Sequence, residues 1–251
     1  MDGAAAIRGD LPSARTVVVD VPLEAGEAQD SRVSRFTSIQ LVRDRQAQAL
    51  ASIEGLVVTV GGDCGVELAA VSRATDVDEN VAVVWLDAHP DLNTPQSSPS
   101  AAFTGMVLRT LLGEGASGLV PARPLKPGNV VLVGAREFDE PEDSYVRDAG
   151  IRSLDVGDAT SETVVDAVAA TGATRIYIHI DVDVLDPADF AGQDSPVPFG
   201  LQAGALVELI RALRAKFDLI GAGLTEFAPA SAEQAADDLP TILRIIAALT
   251  N

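Results

Sequence analysis

The chain is poor in cysteine, histidine and lysine. Its 251 residues include one cysteine, Cys64, and two histidines, His89 and His179. A single thiol excludes an internal disulfide and makes a cytoplasmic protein the expectation. Two histidines cannot supply the several imidazoles that a metal-dependent deacetylase gathers at its metal. Lysine occurs only at Lys126 and Lys216, so arginine carries nearly all of the positive charge. With 18 basic and 37 acidic residues the formal net charge is −19, which argues against nucleic-acid backbones and anionic membranes as partners. No apolar run approaches the roughly 20 residues of a membrane span. The opening MDGAAAIRGD has neither a cationic n-region nor an apolar h-region. No linker, repeat or low-complexity tract divides the chain, so one domain over residues 1–251 is expected.

What is present is a regular alternation. Apolar, β-rich runs at 16–21, 56–60, 81–86, 130–133, 175–180 and 219–224, with a weaker one at 151–156, predict strands. Stretches at 38–53, 105–112, 161–170, 203–216 and 231–249 repeat apolar residues at helical spacing. Buried strands alternating with amphipathic helices predict an α/β fold of three layers, α/β/α, around a mainly parallel sheet. Such sheets bind ligands beyond the carboxyl ends of their strands.

Polar chemistry is concentrated at those ends. The run 56–60 leads into Gly61-Gly62-Asp63-Cys64, 81–86 into Asp87-Ala-His89-Pro-Asp91, 175–180 into Asp181-Val-Asp183, and 219–224 ends just before Glu226. In extended backbone Asp87, His89 and Asp91 share one side, as do His179, Asp181 and Asp183. Four carboxylates at the end of a buried sheet repel one another and need cations. Oxygen-rich ligation with some imidazole suits Mn²⁺, Mg²⁺ or Zn²⁺, and two ions sharing carboxylates can ionise a water between them. Either motif alone is more often a solvated turn or a cap; their combination at strand ends points to a metal centre. A metallophosphoesterase would need its DxH before its GD and an Asn-His pair, and here GGD comes first and no such pair exists.

The ordered segments GGDC, DAHPDLNTP, HIDVDVLDP and LTEFAP resemble the four signatures of the ureohydrolases, the arginases, agmatinases and their relatives, over residues 56–230. This resemblance implies an arginase-like fold, a two-Mn²⁺ centre and a trimeric or hexameric homo-oligomer. It implies metal ligands at Asp87, His89, Asp91, Asp181 and Asp183, with Asp87 and Asp183 among the bridging groups, and Asp63 as a supporting residue. Asp91, Asp183 and Glu226 would carry the catalysis. Glu226 would meet a small cationic guanidino substrate. Gapless counting places Asn93 and Ser100 at positions for an α-carboxylate, and Asp139, after a Gly-x-Arg turn, at the position for an α-amino group. These residue types are equally at home in turns and on surfaces.

Two positions depart from the family pattern. The first signature normally ends in histidine, a metal ligand, and here Cys64 stands there, either as a thiolate ligand or as an inert buried thiol. A thiolate would make the centre more negative, hinder the ionising of water and favour Zn²⁺ or Fe²⁺ at that one position. The usual proton-shuttle histidine falls on Thr104. His179 is a possible replacement, but a supporting or core role is the expectation for it. A branch of the family with cysteine at this position is associated with Nω-hydroxy-L-arginine, whose guanidino group is less basic. The expected reaction is therefore hydrolysis of Nω-hydroxy-L-arginine or L-arginine to ornithine plus hydroxyurea or urea. The alternatives are an agmatinase-type or other guanidino-acid hydrolase, or a metal-binding homologue without activity.

Overall fold

Six of the seven apolar runs become strands because each lies where its backbone groups meet a neighbour. A computed structural model describes residues 3–251, with strands β1 (Val58–Val60), β2 (Ala82–Leu86), β3 (Val130–Val133), β4 (Arg152–Leu154), β5 (Arg175–Asp181) and β6 (Asp218–Thr225). They form one sheet in the order β1-β6-β5-β2-β3-β4, with every pair parallel. The α-helices are α1 (Gly3–Asp10), α2 (Phe36–Ala51), α3 (Glu67–Val77), α4 (Val107–Leu111), α5 (Glu140–Ala149), α6 (Ser161–Ala169), α7 (Ala203–Lys216) and α8 (Ala232–Thr250). No helix among the described residues is long and apolar enough to cross a membrane.

Strand alternation divides the core in two. Val84 and Leu86 of β2 join Ile176, Ile178 and Ile180 of β5 in the layer beneath α1, α6, α7 and α8. Val83 and Trp85 face the other way with Tyr177 and Leu132, beneath α2, α3 and α4. β2 is buried along its whole length, as a central parallel strand covered on both faces must be. The three-layer α/β architecture follows directly.

The run 16–21 does not form a strand. Val17, Val18 and Val21 are 61%, 62% and 64% exposed, so this β-branched segment lies on the surface without a sheet neighbour. β-propensity mostly reports fit to a half-buried pleated surface, and this segment finds none. The helix predicted over 105–112 is also shorter, a 3₁₀ turn at Thr104–Met106 followed by α4. Helices α1, α3 and α5 lie outside the helical stretches expected from the sequence.

The strand order explains why signatures scattered along the chain converge. β1, β6, β5 and β2 are consecutive neighbours in the sheet, and each ends at one of the four polar motifs. All four motifs therefore leave the same edge of the sheet side by side.

Candidate metal centre

Each motif is fixed by its own backbone. After β1, the Asp63 carboxylate accepts from Gly65 N at 2.8 Å, capping the short 3₁₀ turn Cys64–Val66 and turning Cys64 inward. Gly61 is required here because a Cβ would lie 2.5 Å from the Val66 side chain. After β5, Asp181 Oδ1 accepts from Asp183 N at 2.9 Å, and Asp183 Oδ1 accepts from Ala88 N at 2.9 Å, joining the ends of β5 and β2. Arg136 holds the same turn from outside, donating to the Asp183 carbonyl at 2.8 Å and the Val197 carbonyl at 2.6 Å.

The side chains meet closely. His89 Nδ1 lies 2.8 Å from Asp183 Oδ2 and 3.6 Å from Asp87 Oδ1. Cys64 lies at the margin of the apolar layer, yet its Sγ faces polar atoms: Asp181 Oδ2 at 3.1 Å, Thr225 Oγ1 at 3.4 Å and His179 Nε2 at 3.7 Å. Ligand-type atoms fall into three groups, each within 4.8 Å: Cys64, Asp87, Asp91 and His179; Cys64, Asp181 and Glu226; Asp87, His89 and Asp183. Asp87 and Cys64 each belong to two groups, whereas Asp183 belongs only to the His89 group.

Burial leaves these acids short of counter-charge. Asp91, Asp181 and Asp183 are each pushed up, first by burial and then by neighbouring carboxylates. Burial and Asp91 likewise push the Cys64 thiol up. Burial also acts against the ionised Asp87, but hydrogen bonds from His179 and His89 outweigh it and hold Asp87 low. Burial disfavours charge on His89, yet Asp183 and Asp87 raise it to about 11. The buried Asp91 Oδ2 has no hydrogen-bond partner. An acceptor-only oxygen in that position, beside three more carboxylates, fits a divalent cation and fits little else.

Two of these residues also carry backbone strain. Asp91 and Glu226 have φ of 52° and 62°, in the left-handed region that residues other than glycine seldom occupy. Burial raises the Glu226 carboxyl to about 8, while its hydrogen bond from Thr104 pulls the other way. A cavity of about 160 Å³ reaches the cluster and is lined by Asp91, Asp181, Asp183 and Glu226, together with Asn93, Ser100 and Asp139. Asn93 Nδ2 donates to Asp139 Oδ2 at 2.8 Å, and Ser100 Oγ accepts from Ala102 N at 3.1 Å. A larger cleft beside Phe36 and Pro95 contains one ionisable side chain, Asp30, and no such chemistry.

Four residues of this region escaped sequence reasoning. Glu142 accepts from Leu92 N and Asp139 N, both at 2.9 Å, and so ties α5 to the loop that carries Asp91. The Asp139-x-x-Glu142 spacing is a capping-box signal that reveals it. Trp85, Glu67 and Thr225 stand beneath the cluster. Trp85 and Thr225 read as ordinary strand residues, and Glu67 opens a helix without clear periodicity, so the sequence gives no signal for them.

Comparison with known proteins agrees with this arrangement. The arginase family model matches residues 8–248. The Nω-hydroxy-L-arginine amidinohydrolase of Streptomyces lavendulae is 38% identical over 213 residues, 82% of this chain and 74% of that protein. An arginase of Staphylococcus aureus is 30% identical over 193 residues, covering 72% of this chain and 64% of its own length. The match thus spans less than two thirds of that second relative. The crystal structure of Bacillus subtilis arginase superposes with a TM-score of 0.82 at 25% identity, covering 92% of this chain and 82% of that one. The sheet, the four strand-end motifs and these matches lead to one conclusion: the chain belongs to the arginase family of ureohydrolases.

Proposed function

We propose that this protein hydrolyses the guanidino C–N bond of an arginine-like α-amino acid, with Nω-hydroxy-L-arginine or L-arginine as substrate. The products are ornithine and hydroxyurea, or ornithine and urea. One observation carries this reading: a single cavity is lined both by the ligand cluster with Glu226 and by Asn93, Ser100 and Asp139. The first set suits a guanidinium and the second an α-amino acid head. The relative from Streptomyces lavendulae, named for Nω-hydroxy-L-arginine, supports the choice of substrate.

The donor set suits two divalent cations, Mn²⁺ first, with Zn²⁺ or Fe²⁺ competitive beside Cys64. Asp87, Asp91, Asp181 and Cys64 would hold one, and Asp87, His89 and Asp183 the other. Such a pair would supply an ionised water and charge stabilisation at the guanidino carbon. The Glu226 carboxylate would meet the positive charge of an arriving guanidinium at the mouth of the cluster. Thr104 keeps the Glu226 carboxylate turned toward the cavity. Asn93 and Asp139 fix the other end of the molecule, so that a substrate lacking its carboxylate leaves buried polar groups unpaired. Family membership supports assembly into a trimer or hexamer.

Purified protein loaded with Mn²⁺ should be offered L-arginine, Nω-hydroxy-L-arginine, agmatine and guanidinobutyrate, and the amine and urea-type products measured. The α-amino acids should be preferred. Better turnover of agmatine defeats the reading of the pocket, and tight metal binding without turnover of any member makes the protein a non-catalytic homologue.

A further inference from the structure

His179 is wholly buried at the floor of the ligand cluster. On β5 it shares a face with Tyr177, and three neighbours fix its ring. The Trp85 indole stacks on it with centroids 3.7 Å apart and 28° between planes. Glu67 Oε1 lies 3.3 Å from His179 Nδ1, a charged contact off the line of a good hydrogen bond. Tyr177 OH donates to Glu67 Oε2 at 2.5 Å. The glutamate fits only because residue 223 is glycine, since a Cβ there would lie 1.4 Å from Glu67 Oε1.

With Glu67 facing Nδ1, the ring keeps a proton on that side, while the proton that Nε2 shares with Asp87 in the metal-free protein is the one a cation would replace. Nε2 faces Asp87 Oδ2 at 3.5 Å and Cys64 Sγ at 3.7 Å, two electron-rich atoms that one cation could bind together with it. The four atoms offered by His179, Cys64, Asp87 and Asp91 lie within 4.8 Å of one another. A buried carboxylate behind an imidazole, with the opposite nitrogen turned to a cluster of anionic donors, is the arrangement that orients histidine ligands of metal ions.

We propose that His179 is a metal ligand, binding through Nε2 the same cation as Cys64, with Glu67 as its positioning residue. The imidazole absent from the turn after β1 is thereby supplied from β5. The inference rests on the two-metal reading above. It gives that cation sulfur, nitrogen and carboxylate donors, a set that accepts Cd²⁺ and Zn²⁺ readily.

Because the chain holds only His89 and His179, NMR can test this on the intact protein, prepared without a histidine tag. The protein is labelled with ¹⁵N in histidine and loaded with ¹¹³Cd²⁺. Both imidazoles should show one-bond coupling to cadmium, and the His179→Asn variant should retain one coupled ring. Two bound cadmiums with coupling to His89 alone would overturn this inference and leave the two-metal centre standing. Failure of the folded protein to bind cadmium or manganese would overturn both. Glu67→Gln can donate to Nδ1 and so favours the tautomer with its proton on Nε2. It should lower Mn²⁺ affinity at one site by about 10- to 100-fold and weaken the His179 coupling. Unchanged affinity and coupling in Glu67→Gln would remove Glu67 from the proposal.

Discussion

Thr104 Oγ1 donates to Glu226 Oε1 at 3.0 Å and is itself approached by Cys64 N at 3.4 Å. The residue at the position of the family's shuttle histidine thus links the turn after β1 to the glutamate after β6. Thr104→Val removes this donor. The Glu226 carboxyl should then move up, because the Thr104 hydrogen bond is the contact that favours its charged form. A hydrogen bond to a charged group contributes roughly 1.5 kcal/mol, so KM at neutral pH should increase about tenfold, with a smaller change in kcat. The pH profile of KM should move toward alkali. An unaltered KM across that range would show that Glu226 does not meet the cationic group.

Asp87 and Asp183 should separate under substitution. Asp87 belongs to two ligand groups and Asp183 to one. Asp87→Ala should therefore leave the protein unable to retain either cation, whereas Asp183→Ala should mainly lose the one beside His89. Turnover should disappear in both, and elemental analysis after dialysis distinguishes them. Equal metal contents would remove the distinction.

Cys64→His replaces a negative donor by a neutral one against four carboxylates. Metal affinity should increase and preference should shift from Nω-hydroxy-L-arginine toward L-arginine, read by calorimetric titration and by the ratio of kcat/KM values. A variant with the parent's affinity and ratio would show that Cys64 does not set specificity.

The metal-free protein should be least stable at alkaline pH. Glu226 rises on folding from 4.5 to about 8, and His89 and His179 from 6.5 to about 11 and about 9. A group raised on folding contributes stability below its unfolded value and loses it as pH climbs through the folded one. All three therefore weaken the fold between about pH 4.5 and 11. Asp87, held low, acts in the opposite sense only at acid pH. Thermal melts without metal should show Tm falling from pH 6 to 9, and saturating Mn²⁺ should restore most of it. A metal-free Tm that rises over that interval contradicts the assignment.

Much of the fold was legible because a central parallel strand has to be apolar throughout. Val81 to Leu86 and the run 175–180 announce themselves without any neighbour being known. The segment 16–21 carries the same signal and fails, since pairing depends on a partner that local sequence does not specify. Within the site, ligand-type residues were visible because strand parity places alternate side chains together. Glu67 was not, because its role exists only where α3 begins beneath Gly223 of β6. A contact between residues more than 150 positions apart leaves no trace in local pattern.

The left-handed backbone at Asp91 and Glu226 has an evolutionary corollary. Glycine at either position would relax the chain and lengthen its survival on heating, while removing a donor from the cluster. A library of variants screened for heat tolerance in the absence of metal should thus drift toward Asp91→Gly and Glu226→Gly and become enriched in inert proteins. A library screened for turnover should keep both acids at the expense of melting temperature. The two screens pull in opposite directions at the same two codons.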